Sequence, residues 1–185
     1  MSNPIETLNA APRNAAISAI APLVERSAWV AELTVDRRPF ADHKALAAAL
    51  VATITVAGPA RQRSMFNAHP ELAGREAIEN RMTEASISEQ QRLGLHCLSP
   101  ADARRLARLN AAYRDRFGHP FIVALHRVPD LSSLFEVFEL RLAASPQEEH
   151  AATLAEIASV VHSRAASAFG QPEHASLNVT ATTPE

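Results

Sequence analysis

The sequence predicts an all-α protein, a single compact helical domain of about eight helices. Three observations carry that expectation. Hydrophobic residues make up 47% of the 185-residue chain while aromatics make up only 5%, and alanine recurs in runs such as Ala47–Ala49. Alanine is the best helix former, whereas sheets draw on aromatic and β-branched residues. Two matching helix starts, Ser99-Pro100-Ala101-Asp102 and Ser145-Pro146-Gln147-Glu148, place serine at the N-cap, proline at the first helical position and an acid in the first turn.

Residues 1–14 are polar and interrupted by Pro4 and Pro12, so they read as a loose N-terminal segment. The helical domain is expected over 15–170, followed by a flexible tail over 171–185. Within the domain, helices are expected near 15–34, 42–57, 60–68, 71–82 and 86–94. The helix opened by Ser99 carries Leu106, Leu109, Tyr113 and Phe117 at helical spacing. Gly118 ends it and Pro120 prevents continuation. Phe121-Ile122-Val123-Ala124-Leu125 is the one strand-like run. It is too short and isolated to build a sheet, and reads as a buried extended segment. A helix over 130–144 follows. The last helix, opened by Ser145, puts Leu154, Ile157, Val161 and Ala168 on one stripe.

The formal net charge is −2 and no basic stripe stands out, so the footprint of nucleic-acid binding is missing. No apolar run approaches membrane-spanning length, and the first residues lack the basic-then-apolar pattern of a signal peptide. The single cysteine, Cys97, excludes an intrachain disulfide. A cytoplasmic location is the expectation, with neither membrane nor nucleic acid as a partner.

Three groups of residues offer chemistry. His69 precedes Pro70, and a residue before proline is pushed out of the α region. One helix should therefore end near His69, with Pro70 opening the next. An imidazolium is favoured at such a helix C-terminus, and the alternative is a surface histidine in a turn. Ser86, Glu89 and Gln90 share a helix face at i, i+3 and i+4. They suit the edge of a urea or imidazoline, while Ser86 with Glu89 equally fits a capping box. Arg164 continues the apolar stripe of the last helix. A guanidinium there needs a partner or an anion, unless its stem packs and its head reaches water.

Other candidates are weaker. The chain holds eight histidines without an HExxH or a zinc-type Cys–His spacing. His119 and His126 flank the extended run. Lys44, the only lysine, sits in the solvated context of a helix start. His96 and Cys97 are adjacent and point apart.

Several segments stand in a specific order: Phe66-Asn67-Ala68-His69-Pro70-Glu71-Leu72-Ala73-Gly74, Thr83 through Gln90 with its Ser86-Ile87-Ser88-Glu89-Gln90, Leu109 through Gly118, and Pro120-Phe121-Ile122. Together they resemble the 2-oxo-4-hydroxy-4-carboxy-5-ureidoimidazoline decarboxylase family over residues 15–169. The resemblance implies an all-α fold, a homodimer and decarboxylation to (S)-allantoin in urate breakdown. It implies His69 as the catalytic acid/base, with Glu89 orienting it or binding the ureido group. It implies substrate contacts from Pro70, from Ser86, Ile87, Ser88, Glu89 and Gln90, from backbone groups of Phe121, Ile122, Val123, Ala124 and Leu125, and from Arg164. One departure is His119, where the family usually has phenylalanine. His119 either changes the polarity of the site or faces solvent.

The chemistry implied needs no cofactor and no metal. Loss of CO2 beside a ring C=N leaves an electron pair that the imine nitrogen accepts, so the substrate brings its own electron sink. The protein must add positioning, proton transfer and protonation on one face, which suit a histidine and an arginine. Two other readings stay open on the residues alone. One is a non-catalytic helical interaction module that uses the same polar stripe as an interface. The other is a metal-dependent hydrolase built on several of the histidines.

Overall fold

The structure is a computed structural model and describes residues 3–74, 88 and 90–170. Its elements are α1 (Pro4–Ala10), α2 (Arg13–Ile20), α3 (Ala28–Thr34), α4 (His43–Thr55), α5 (Pro59–Asn67), α6 (Pro100–Phe117), α7 (Leu131–Ala143) and α8 (Pro146–Phe169), with short 3-10 turns at Ala21–Val24, Val35–Arg37 and Leu125–Arg127. The described residues contain no strand. Among them, no single helix is long and apolar enough to cross a membrane.

Side-chain caps fix most of the helix starts. Asn3, Asp42, Ser99, Asp130 and Ser145 each accept a backbone N–H of the first turn. Ser145 and Glu148 complete a capping box: Glu148 N donates to Ser145 Oγ at 3.3 Å and Ser145 N to Glu148 Oε2 at 2.9 Å. Gly118 ends α6 in the left-handed region with φ 75°.

The helices bury two apolar clusters. The first joins α1–α5 to α8 through Ile20, Leu46, Leu50, Phe66, Ile157 and Val161. Here α8 lies along α4. The second joins α6 and α7 through Leu106, Tyr113, Phe121, Leu134 and Phe138. The extended run 121–124 passes between the clusters, with Phe121 in the second and Ile122 in the first. An extended run without a ladder must satisfy its backbone elsewhere. Side chains supply the partners: Arg141 Nη1 donates to Ile122 O at 2.6 Å, Ala124 N to Glu156 Oε2 at 2.8 Å, and Arg92 to Leu125 O.

Three expectations fail in the described residues. The helix expected over 15–34 is broken into α2, a 3-10 turn and α3, because Pro22 lacks an N–H donor and Arg26 takes φ 57°. The N-terminal segment is ordered over Pro4–Ala10 rather than loose. Ile5 and Leu8 are buried, and Asn9 clasps Phe40 through both its N–H and its carbonyl. Pro70 does not open a helix: Glu71–Gly74 is a turn, with Ala73 at φ 48° and Gly74 N donating to Glu71 O at 3.1 Å. That turn is held from outside, because Asn110 Nδ2 donates to Leu72 O at 3.0 Å and Arg114 Nε to Glu71 Oε1 at 2.7 Å. The rest of the helix expected over 71–82 lies outside the described residues. Of the helix expected over 86–94, residues 88 and 90–92 are helical. On α8 the buried stripe is Thr153, Ile157, Val161, Ala165 and Phe169, and Ala168 is exposed.

Candidate active site

A cleft opens where the two clusters meet. The turn after α2 gives Leu23, Val24 and Glu25; the end of α5 gives Met65, His69 and Pro70; the extended run gives Phe121, Ile122, Val123 and Leu125; α8 gives Ile157, Val160, Val161 and Arg164; Leu72 and Gln90 complete the wall. The lining is mostly apolar with a few convergent polar groups, as in small-molecule sites.

His69 leaves α5 two residues after its last turn, and its Nδ1 lies 2.9 Å from Met65 O. A carbonyl only accepts, so Nδ1 carries the proton and Nε2 keeps its lone pair. Burial pushes the imidazole pKa down; the Met65 carbonyl and Glu25 oppose that shift, and Arg164 and Arg26 reinforce it. The expected preference for an imidazolium is therefore reversed, because desolvation outweighs the helix C-terminus.

Arg164 lies across the same cleft. Its Nη2 is 3.1 Å from Glu25 Oε2, and its Nη1 donates to Pro22 O at 3.4 Å. The pair is largely buried, with side-chain exposures of 13% for Arg164 and 7% for Glu25, so its head does not simply reach water. Gln90 is buried and accepts the Ala73 N–H at Oε1, 3.2 Å away. It thus lines the cleft and buttresses the turn after His69.

Of the residues expected at the site, His69, Pro70, Gln90, Phe121, Ile122, Val123, Leu125 and Arg164 line one cleft. Ala124 is absent from the lining: it is fully buried, and its N–H is committed to Glu156. Ser88 is exposed and absent from the lining. Ser86, Ile87 and Glu89 lie outside the described residues. His119 neither lines the cleft nor faces solvent. It is buried against Phe66, Tyr113 and Phe117, with Nδ1 2.9 Å from Pro120 O, and burial lowers its pKa. His126 is exposed and pairs with Ser159 across 3.2 Å. Among the described residues, no three of His, Cys, Asp and Glu gather as metal ligands.

Two sets of residues escaped the sequence reading. Glu25 is one: an acid directly after Leu23-Val24, a signal of the same kind as Arg164 on its stripe. The other is the buried group Arg141, Glu149, Tyr113 and Thr153, which anchors the extended run from behind. Arg141 follows Leu134 and Phe138 at helical spacing, which was the available clue. Glu149 was hidden beside the capping acid Glu148.

Comparison with known proteins agrees with this architecture. The chain is 32% identical over 152 residues to a 2-oxo-4-hydroxy-4-carboxy-5-ureidoimidazoline decarboxylase of Mus musculus, covering 82% of this chain and 85% of that protein. It is 33% identical over 153 residues to the protein of that name from Halalkalicoccus jeotgali, covering 83% of this chain and 84% of that protein. The fold matches a crystal structure of (S)-allantoin synthase with a TM-score of 0.70 at 24% identity, over 89% of this chain and 53% of that one. It also matches an OHCU decarboxylase crystallised in the presence of (S)-allantoin with a TM-score of 0.63 at 18% identity, over 78% of this chain and 93% of that one. The OHCU decarboxylase family model matches residues 9–166, and the chain belongs to that family.

Proposed function

We propose that the protein decarboxylates 2-oxo-4-hydroxy-4-carboxy-5-ureidoimidazoline to (S)-allantoin, with neither metal nor organic cofactor. The observation that carries this reading is the cleft shared by His69 and Arg164 in a chain of this family. Arg164 meets the substrate carboxylate. The bond from C4 to that carboxylate breaks and CO2 leaves. The electron pair forms a C4–C5 double bond, and the former imine pair moves to N1, which takes a proton. The neutral Nε2 of His69 then receives the C4 hydroxyl proton as the carbonyl forms, and C5 is protonated from the face that His69 occupies. One net proton is consumed for each CO2 released. Glu89 either orients His69 or binds the ureido group, and Gln90, with Ser86 and Ile87 as expected from the resemblance, serves that same group, whereas the exposed Ser88 does not. Pro70 and the backbone of 121–125 form the wall.

The reading extends to a homodimer in the cytoplasm, without nucleic-acid or membrane partners. Its support is the family resemblance and the nearly balanced charge. Purified protein added to freshly generated substrate should accelerate CO2 release and give circular dichroism of one allantoin enantiomer. Racemic product at the uncatalysed rate would overturn the reading. Equilibrium sedimentation tests the dimer.

A further inference from the structure

Glu25 sits on the turn between the 3-10 segment Ala21–Val24 and α3, and it lines the cleft with His69 and Arg164. The turn is pinned there. Arg26 takes φ 57°, a region that costs a residue with a side chain, and its Nη1 donates to Ala68 O at 3.3 Å, one residue before His69. A carboxylate is the wrong charge to attract an anionic substrate, and burying one is unfavourable without a partner. Its partner is Arg164, whose fork is held between Glu25 Oε2 at 3.1 Å and Pro22 O at 3.4 Å.

We propose that Glu25 is a positioning residue: it fixes the angle at which the Arg164 guanidinium meets the substrate carboxylate, and it adds a negative charge beside His69. The inference rests on the decarboxylase reading above. A guanidinium is planar, and its two-point recognition of a carboxylate depends on that orientation. Among the described residues, the charged groups acting on His69 are Glu25 and Arg26 from the turn and Arg164 from α8. Removing the Glu25 charge takes away a negative charge that faces the imidazole and weakens its proton binding.

Glu25→Gln keeps the volume and an acceptor, Glu25→Ala removes both, and Glu25→Asp keeps the charge one methylene back. Glu25→Ala should raise KM about tenfold, a size typical of coupled neighbours. Glu25→Gln should raise it less, and Glu25→Asp should recover part of the loss. In Glu25→Gln the acidic limb of kcat/KM should move to lower pH. In an Arg164→Leu background, Glu25→Ala should change KM by less than about twofold. A fall in KM for Glu25→Gln would mean that Glu25 only repels the anion. An equal rise in both backgrounds, or an unmoved acidic limb, also overturns the proposal.

Nuclear magnetic resonance of the Arg164 guanidinium nitrogens gives a readout independent of turnover. Slow rotation in the wild type that becomes fast in Glu25→Gln supports positioning; unchanged rotation overturns it. If the wild type lacks decarboxylase activity, the decarboxylase reading fails while this measurement still decides the Glu25–Arg164 relationship.

Discussion

Arg141 and Glu149 form an ion pair in the interior, with side-chain exposures of 9% and 1%, and the same guanidinium holds the Ile122 carbonyl at 2.6 Å. Its Cζ also lies 4.7 Å from the centre of the Phe121 ring, which stacks on Phe138 with centroids 3.9 Å apart. Glu149 accepts from Tyr113 and from Thr153 as well. The charge is thus fully engaged on both sides, and it ties α7 and α8 to the cleft wall.

Breaking one half of this pair should be costly. Arg141→Leu leaves the Glu149 carboxylate buried with only hydroxyl partners and should destabilise the fold by about 3–5 kcal/mol. Tyr113→Phe removes one of several partners and should cost about 1 kcal/mol. Urea unfolding midpoints measure both. Equal losses for the two variants would show that the pair does not dominate the network.

The fold was legible because caps and periodicity act locally. Ser99, Ser145 and Gly118 cap their helices as their local chemistry dictates, and the run is extended over 121–124, with Val123 half-buried and Leu125 opening a 3-10 turn. What failed depended on distant partners. Nothing near Pro70 announces that Asn110 and Arg114 on α6 hold Glu71–Gly74 as a turn. Nothing near Asn9 announces its clasp on Phe40. His69 and Arg164 stood out in the sequence because each breaks a local pattern, and both line the cleft. Glu25 became meaningful only beside Arg164, 139 residues away in sequence.

Acid should weaken the fold before carboxylates titrate. His69 and His119 both have pKa values lowered from 6.5, chiefly by burial. The unfolded chain then binds protons that the folded chain refuses, so stability falls as pH drops below about 6.5 and is unaffected by these groups well above it. Asp36, Asp130 and Glu148 are lowered carboxylates, and their contribution is lost only at more acidic pH. Denaturation midpoints at pH 7.5, 6.5 and 5.5 should show the decline. His119→Phe should reduce its slope while preserving decarboxylation, because His119 does not line the cleft. An unchanged slope would assign the effect elsewhere.

Arg164→Leu should weaken substrate binding, and its effect on stability follows from Glu25. On the sequence alone, leucine on an apolar stripe looks harmless or stabilising. With Glu25 paired to it, the variant takes one cation from a buried carboxylate and should cost about 1–3 kcal/mol. Arg164→Leu combined with Glu25→Leu should recover much of that loss without recovering binding. Thermal melts and calorimetric titration with allantoin separate the two effects. Recovery of binding in the double variant would remove Arg164 from substrate recognition.

His69→Asn tests the proton step most directly. The side chain leaves α5 at its C-terminal end and lines the cleft, and no large apolar volume is lost on substitution. Asparagine also offers an N–H that can replace the bond to the Met65 carbonyl, so the fold should survive with its melting temperature little changed. What asparagine lacks is a titratable nitrogen equivalent to Nε2. The enzymatic excess over spontaneous decarboxylation should therefore fall about a hundredfold or more, the usual size of a general acid–base contribution. Chirality gives a second, independent readout. In the proposed mechanism His69 protonates the C4–C5 double bond from one face, whereas solvent reaches both, so the variant's residual product should drift toward racemic allantoin. Circular dichroism of the product, recorded beside CO2 release, reads both quantities in one experiment. A His69→Asn protein that still formed a single enantiomer at near wild-type rate would remove the imidazole from the mechanism, and the proton would have to come from another group, with Glu89 the first to substitute.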